Sequence, residues 1–320
     1  MKLSLIIPCY NEQDNVEQMY RVIEDTFLEK SFDLELVYVN DGSRDQTIQK
    51  LRSLLEKKDF SIKIVDFSRN FGKESAIYAG LKHATGDYIT LIDGDLQQPP
   101  ALVLEMVDFL EQNKDYDCVA AFQEKRNESA LLKFFKKSFY KTINKITNVE
   151  FLNGASDFRT FRRNIAETIL SMTESNRFTK GIFAWVGFRT HFVPYEAAER
   201  TAGTSKWSFR KLLNYAIDGI VSFSTAPLRF VKYAGGASIF AAVAYLLYNL
   251  IGKWAFGIRV SVIAPAIFLI LLIGGVNLIA MEILGEYVGR IFAEVKKRPI
   301  YVAREVLTNE KDSEKNVQID

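Results

Sequence analysis

The residues best equipped for chemistry sit in short polar clusters, each placed directly after an apolar run. The most telling is Asp93-Gly94-Asp95, which ends the run Tyr88-Ile89-Thr90-Leu91-Ile92. Two carboxylates one residue apart at the mouth of a buried strand must find a cation or water. A hard divalent ion takes one or two carboxylates together with phosphate oxygens. Gly94 lets the backbone turn tightly between them, and Pro99-Pro100 stops the extended chain and starts a helix. A solvated Asp-Gly-Asp turn is the alternative, and so short a motif is compatible with either. Three further clusters follow the same rule: Pro8-Cys9-Tyr10-Asn11-Glu12, Asn40-Asp41-Gly42-Ser43 and Ser68-Arg69-Asn70-Phe71-Gly72-Lys73.

The elements that must carry these clusters are legible as alternating patterns. Apolar runs predict strands at 2–8, 34–39, 62–67, 88–92 and 118–122. Helical spacing follows at 16–28, up to 57, at 74–83 and at 100–113. Strands alternating with helices predict an α/β domain, a parallel sheet with helices on both faces. Ligands in such sheets bind at the carboxyl ends of the strands. Tyr10 and Glu12, Asp41, Arg69 and Lys73, and Asp93 and Asp95 all fall at those ends. The convergence describes a nucleotide site rich in carboxylates and in need of a metal. No G-x-G-x-x-G follows the first strand and no G-x-x-x-x-G-K-[ST] occurs, which argues against a dinucleotide fold or a P-loop.

Composition narrows the class. The formal charge is +2, so no global field marks nucleic acid as a partner. Cys9 and Cys118 are the only cysteines and lie far apart in apolar runs, which fits a reducing compartment better than a disulfide scaffold. His83 and His191 are the only histidines, too few for a histidine-based metal site. The chain enters its first strand at once, and no signal peptide is expected.

Beyond about Ala226 the character changes. Residues 233–252 and 260–281 form uncharged runs of about 20 residues, each enough to span a hydrocarbon core. Lys232 and Lys253 border the first; Arg259 and Glu282 border the second. Buried core helices are the alternative, disfavoured by the tandem arrangement and charged borders. Arg210, Lys211, Arg229 and Lys232 precede the spans, and Arg290, Lys296, Lys297, Arg298 and Arg304 follow them. The connector holds only Lys253 and Arg259. The positive-inside rule therefore expects both flanks in the cytoplasm of a multi-pass plasma-membrane protein.

Taken together, Ile7-Pro8-Cys9-Tyr10-Asn11-Glu12, Asn40-Asp41-Gly42-Ser43, Ser68-Arg69-Asn70-Phe71-Gly72-Lys73, Asp93-Gly94-Asp95-Leu96-Gln97 and Gly203-Thr204-Ser205-Lys206-Trp207, with the hairpin of spans, resemble the polyprenyl-phosphate glycosyltransferases of glycosyltransferase family 2. The resemblance extends to about Val302. It implies a GT-A (Rossmann-like) catalytic domain at 1–205, an amphipathic interfacial helix at 206–228, two transmembrane helices within 229–290 and a cytoplasmic C-terminal segment at 291–320. It implies Pro8, Tyr10, Glu12, Asp41 and Lys73 as the nucleotide-sugar pocket, with Asp41 accepting from a uracil N–H. Asp93, Asp95 and Gln97 would hold Mg²⁺ or Mn²⁺ and the diphosphate. Asp157, in Gly154-Ala155-Ser156-Asp157-Phe158-Arg159, matches an acidic active-site position, as base or as positioning residue; a turn preceding the next strand is the alternative. Arg126, Arg200, Ser205 and Lys206 would bind the acceptor phosphate. Lys133, Lys136 and Lys137 stand where the family places a second arginine, and a solvated basic face is the preferred reading of them.

Between 207 and 223, Phe209, Leu212, Leu213, Ala216, Ile217, Ile220 and Val221 recur at helical spacing, suiting either an interfacial helix or a packed amphipathic one. Glu282, Glu286 and Arg290 share a helix face, Glu286–Arg290 being a natural pair. From about Thr308 the chain reads as a disordered tail. The resulting expectation is inverting transfer of a hexose from a UDP-sugar to polyprenyl (undecaprenyl) phosphate, for modification of a cell-envelope glycan. Glucose is the first choice of sugar and N-acetylglucosamine the second. The resemblance also implies a homo-oligomer, with a tetramer as the candidate number. A processive polysaccharide synthase would carry Gln-x-x-Arg-Trp and more spans; a non-catalytic nucleotide sensor would not need the Asp-x-Asp.

Overall fold

The computed structural model describes residues 1–30, 32–123, 144, 155–196, 221, 224–256 and 263–309. These fall into two compact units. One holds the sheet and includes both ends of the described chain; the other is helical and lies between Asn214 and Arg298 in sequence.

The sheet unit begins β1 (Lys2–Cys9), α1 (Val16–Phe27), β2 (Asp33–Asn40), α2 (Thr47–Leu54), β3 (Ser61–Phe67), α3 (Lys73–His83), β4 (Tyr88–Leu91), α4 (Ala101–Gln112) and β5 (Cys118–Gln123). It continues β6 (Ala155–Arg162), α5 (Arg163–Ser171), α6 (Thr179–Val186) and β7 (Thr190–Tyr195), and returns much later as β8 (Ala303–Thr308). The eight strands form one sheet in the order β7-β5-β6-β4-β1-β2-β3-β8. β1 lies centrally because both its faces are apolar, as a strand covered on both sides requires. Leu3, Leu5 and Ile7 join a core with Met19, Tyr20 and Ile23 of α1 and Val103, Met106 and Leu110 of α4. Ile6 points the other way, against α3, where a β carbon on Gly80 would lie 2.2 Å from its Cγ2. Only glycine admits that approach of helix to strand.

Strands β1 to β4 are parallel, as expected. The remainder corrects the all-parallel expectation. β6 inserts between β4 and β5 and runs antiparallel to both, so the sheet is mixed. Its sequence, Ala-Ser-Asp-Phe-Arg-Thr-Phe-Arg, carries three charges and presents no apolar run. The other addition is β8. Within the expected C-terminal segment 291–320, Ala303–Thr308 pairs antiparallel with β3 and closes that sheet edge. Thr308, where the disordered tail was expected to begin, is still in register with Lys63; residues 310–320 lie outside the described ones.

The helical unit consists of α7 (Ala226–Phe256) and α8 (Ile263–Val295). By length and composition, Ala226–Asn249 and Pro265–Val295 are apolar enough to cross a membrane, with mean hydropathies of 1.5 and 2.5. Their large apolar side chains face outward. Phe240, Ile270 and Leu271 are exposed by 76%, 69% and 69%, which water would penalise and lipid would not. Tyr287 Oη donates to the Ser224 carbonyl at 2.7 Å. The expected Glu286–Arg290 pair forms at 2.9 Å.

Candidate active site

The carboxyl ends of β1, β2, β3 and β4 assemble the polar clusters through hydrogen bonds between their loops. Asn11 takes the left-handed conformation, φ 54°, which asparagine tolerates. Its amide donates to Ser43 Oγ and its side-chain oxygen accepts from the Arg44 amide, both at 2.9 Å. The Glu12 amide donates to Thr47 Oγ1 at 2.9 Å, and the Glu12 carboxylate accepts from Asn15 Nδ2 at 2.6 Å. The Tyr10-to-Glu12 turn is thus held to the loop after β2. Gly42, at φ +60°, draws that loop against the next: a β carbon there would lie 2.3 Å from the Arg69 carbonyl carbon.

Asp41, at the end of β2, is tied to the loop after β3. It is buried, and its carboxylate accepts from the amides of Phe71, at 2.6 Å, and Gly72, at 3.0 Å. Burial pushes its pKa up; the Phe71 and Gly72 amides and Arg69 oppose that shift. Asp41 therefore fixes the loop that delivers Lys73.

Lys73, the first residue of α3, is the hub. Its Nζ lies 2.6 Å from Asp93 Oδ1 and 3.1 Å from Asp157 Oδ2. The strand register explains why both carboxylates are there. Leu91 of β4 faces Arg159 of β6 in an antiparallel pair, so two residues beyond Leu91 and two before Arg159 are level. Asp157 is therefore an active-site neighbour of Asp93 by sheet geometry. Its Oδ1 is buried and has no hydrogen-bond partner among the described residues, which leaves it open to a water, an ion or a ligand. Burial alone would raise the Asp157 carboxyl, but Lys73, Lys180 and Arg159 outweigh it and hold it well below the carboxylate range. Lys73 is pushed the opposite way. Its desolvation is outweighed by Asp93 and Asp157, which keep the ammonium charged.

Asp93 is also gripped by Gln98, whose Nε2 donates to Oδ2 at 3.0 Å while its Oε1 accepts from the Asp93 amide at 2.9 Å. Asp95 is half-buried, and its Oδ1 accepts from the Gln97 amide at 3.2 Å. Leu96 between them is held at φ +61°, a conformation costing a branched residue roughly 1–2 kcal/mol. Such strain is retained where surrounding structure over-determines a turn, often at functional sites. Gly94 seats this turn on β1: its β carbon would be 3.5 Å from both Cys9 Sγ and the Pro8 carbonyl oxygen. Cys9 itself is buried, and burial, then Glu12 and Asp45, push its thiol far up, so it offers no nucleophile.

Asp93, Asp95 and the Gln97 carboxamide are hard oxygen donors at one strand end, the chemistry of a Mg²⁺ or Mn²⁺ site. Among the described residues no group of three His, Cys, Asp or Glu side chains forms a protein-only cage. A site that shares its ion with substrate phosphates needs no such cage.

Of the expected residues, Pro8, Tyr10, Glu12, Asp41, Lys73, Asp93, Asp95, Gln97 and Asp157 meet at this end of the sheet. Arg126, Arg200, Ser205 and Lys206 lie outside the described residues, as do Lys133, Lys136, Lys137 and nearly all of the expected interfacial helix. Sequence reasoning missed Lys180 and Gln98. It also missed Glu74, whose carboxylate accepts from the Thr179 amide at 2.8 Å and from the Thr179 hydroxyl. Gln98 had a signal in the Leu96-Gln97-Gln98 run; Lys180 and Glu74 had none, since the Thr179–Glu74 hydrogen bond between the start of α6 and α3 links segments about a hundred residues apart.

Residues 4–170 match the model of glycosyl transferase family 2. The chain belongs to that family. Relatives agree over nearly full length. A putative glycosyltransferase, CsbB, of Bacillus subtilis is 39% identical over 97% of this chain and 93% of its own. A prophage bactoprenol glucosyl transferase homolog of Escherichia coli is 38% identical over 96% of this chain and 99% of its own. Among solved structures, this glycosyltransferase is similar to a Pyrobaculum calidifontis mannosyltransferase in complex with GDP-Man and Mn²⁺, 20% identical over 73% of this chain and 63% of that one, at TM-score 0.45. As a family 2 member, the chain carries the GT-A α/β domain as its mixed sheet, followed by two long apolar helices and the returning strand β8.

Proposed function

We propose that this glycosyltransferase moves a hexose, glucose first among candidates and N-acetylglucosamine second, from a UDP-sugar to a polyprenyl phosphate such as undecaprenyl phosphate, with inversion. The observation that carries the reading is the set Asp93, Lys73 and Asp157 at a strand-end site, in a chain that also holds two apolar helices long enough to span a membrane. Relatives named bactoprenol glucosyl transferase support the acceptor class. On this reading the catalytic domain and both termini are cytoplasmic, α7 and α8 anchor the enzyme in the plasma membrane, and the enzyme assembles as a homo-oligomer, with a tetramer as the candidate.

Pro8, Tyr10 and Glu12 line the nucleoside side of the pocket, and Asp41 holds its wall. Asp95, Asp93 and Gln97 would hold Mg²⁺ or Mn²⁺ with the diphosphate, where such an ion would supply charge compensation for the leaving group. An acceptor phosphate oxygen attacks the anomeric carbon in line. The new carbon–oxygen bond forms as the bond to the diphosphate oxygen breaks, and the diphosphate leaves with the electron pair. A phosphate monoester has a second pKa of roughly 6 and is largely dianionic at neutral pH, so no protein base is obligatory. Asp157 is held ionised by its cations and acts by orientation, with Lys73 balancing charge between donor and acceptor sides. Arg126, Arg200, Ser205 and Lys206 receive the acceptor phosphate.

The test is the full chain in detergent micelles with Mg²⁺, undecaprenyl phosphate and radiolabelled UDP-glucose or UDP-N-acetylglucosamine. Label entering the organic phase as a lipid monophosphate sugar is the expected result. Label that reaches only a growing water-soluble polymer, or that never leaves any nucleotide sugar, overturns the reading.

A further inference from the structure

The strand that returns after the helical unit does more than close a sheet edge. Ser68, the first residue of the Ser68-to-Lys73 cluster, donates its amide to the Val302 carbonyl at 3.0 Å. The Arg304 guanidinium donates to the Ser68 carbonyl at 3.4 Å and approaches Asp66 Oδ2 at 3.8 Å. Tyr301 stacks on Phe67 with centroids 4.9 Å apart and planes 20° from parallel. Phe67 in turn meets Phe71 edge-on at 5.7 Å, and Phe71 is the residue whose amide Asp41 grips. Arg69 caps the other side of the Phe71 ring at 4.0 Å. On its far side Tyr301 packs edge-on against Tyr78 of α3 at 6.4 Å, and its hydroxyl lies 3.3 Å from His83 Nε2. Tyr301 is thus wedged between the start of the donor-site loop and the helix whose first residue is Lys73.

We infer that Tyr301 is a positioning residue for the donor site, and that 299–309 forms part of that site's scaffold. This rests on the reading of the strand ends as a nucleotide-sugar pocket. The contacts run Tyr301, Phe67, Phe71, Asp41 without a gap, and every member but Tyr301 lies on β3 or in the loops after β2 and β3. The loop's exposed polar residues cannot set its conformation by burial. It is held from below by Asp41 and from the side by this aromatic stack. Removal of the ring releases Phe67 and Phe71 together, and with them the amides that fix Lys73. By chain order, the residues that complete the donor pocket are those that leave the helical unit at Arg298. A catalytic domain cut before the apolar helices therefore lacks part of its own nucleotide site.

The experiment is calorimetric binding of UDP with Mg²⁺ to the full chain in detergent, beside steady-state kinetics. Tyr301→Ala should weaken UDP binding roughly tenfold, about what an aromatic stack is worth, and raise the donor KM with a smaller change in kcat. Tyr301→Phe, which keeps the ring and loses the hydroxyl, should bind as the wild type does. Leu307→Ala removes a half-buried side chain at the other end of β8, facing Ile64; it should lower Tm and leave UDP affinity unchanged. If Tyr301→Ala does not fold, Tyr301→Leu keeps apolar volume without stacking and takes its place. Wild-type UDP affinity in the alanine or leucine variant overturns the inference. So does equal weakening in Leu307→Ala, which would make the effect one of general stability, or in Tyr301→Phe, which would assign it to the hydroxyl. A wild type with no affinity for UDP overturns the functional reading instead, and this inference with it.

Discussion

The two units of this chain use opposite means to satisfy their side chains. In the sheet unit, Leu3, Leu5, Ile6 and Ile7 are wholly buried, and the polar groups at the strand ends are paired loop to loop. In the helical unit, Phe240 and Leu271 face outward and the polar contacts are few, Tyr287 to Ser224 and Glu286 to Arg290 among them. The first unit folds around its own core, as a water-soluble domain must. The second has an apolar exterior that suits a nonpolar solvent, and its helices satisfy their backbones internally, as lipid would demand. One lesson concerns mutation. A lost charge in the sheet unit should change chemistry and spare the fold, whereas an added charge in the helical unit should change location and spare the chemistry.

The sharpest break of that contrast is Asp95→Asn. It keeps volume and removes a charge proposed to hold the metal, so transfer should fall roughly a thousandfold. The sheet unit's Tm should stay within a degree or so, since Asp95 is no part of the core. Addition of EDTA to the wild type should reproduce the loss. Undiminished turnover in EDTA would remove the metal from the mechanism.

Leu271→Arg sets the opposite case. A cation at the centre of a span costs about 3 kcal/mol on insertion scales. The expected outcome is a protein extracted from membranes by alkaline carbonate, with UDP affinity close to wild type if it is kept soluble in detergent. Retention in the carbonate-resistant fraction would mean that α8 is not a span.

Asp157→Asn should lower kcat by roughly a hundredfold through lost positioning. Because Asp157 is held ionised far below neutral pH, the residual activity should still rise with pH through the acceptor's own ionisation. A mutant profile that becomes flat, where the wild type keeps its limb, would make Asp157 the titrating base.

The smallest effect is on stability. Burial, with Lys63 and Lys82 nearby and Glu35 opposing, lowers the His83 pKa from 6.5 to about 4. The folded state therefore keeps His83 neutral while the unfolded chain takes up a proton first on acidification. Its stabilising share is present above about pH 6.5 and lost as pH falls towards 4, a change of roughly 3 kcal/mol by linkage. His83→Gln should flatten that part of a Tm-versus-pH curve. An unchanged slope would place the acid sensitivity elsewhere.

Much of the molecule was visible in local pattern. Period and composition marked β1 to β5, the first four helices and both apolar runs, because burial on two faces and lipid exposure leave continuous apolar signatures. The motif residues fell at strand ends for the same reason, one that needs no knowledge of distant contacts. Asp157 was reached only by resemblance to a family, since Ser156-Asp157-Phe158 has no pattern of its own.

What the tertiary structure decided was partnership. That β6 separates β4 from β5 follows from which edges find each other, and neither strand's residues encode it. The Asp41 carboxylate turned to the Phe71 and Gly72 amides because Gly42 lets the two loops touch. Lys73 came to lie between Asp93 and Asp157 because β4 and β6 share a register. Ala303–Thr308 became the eighth strand because β3 offered an unpaired edge. A six-residue run of mixed polarity can be coil or strand; an open row of backbone donors and acceptors makes it strand. Local sequence determines what each segment can become, and the free energy of burying or pairing it against a segment hundreds of residues away determines which of those states it takes.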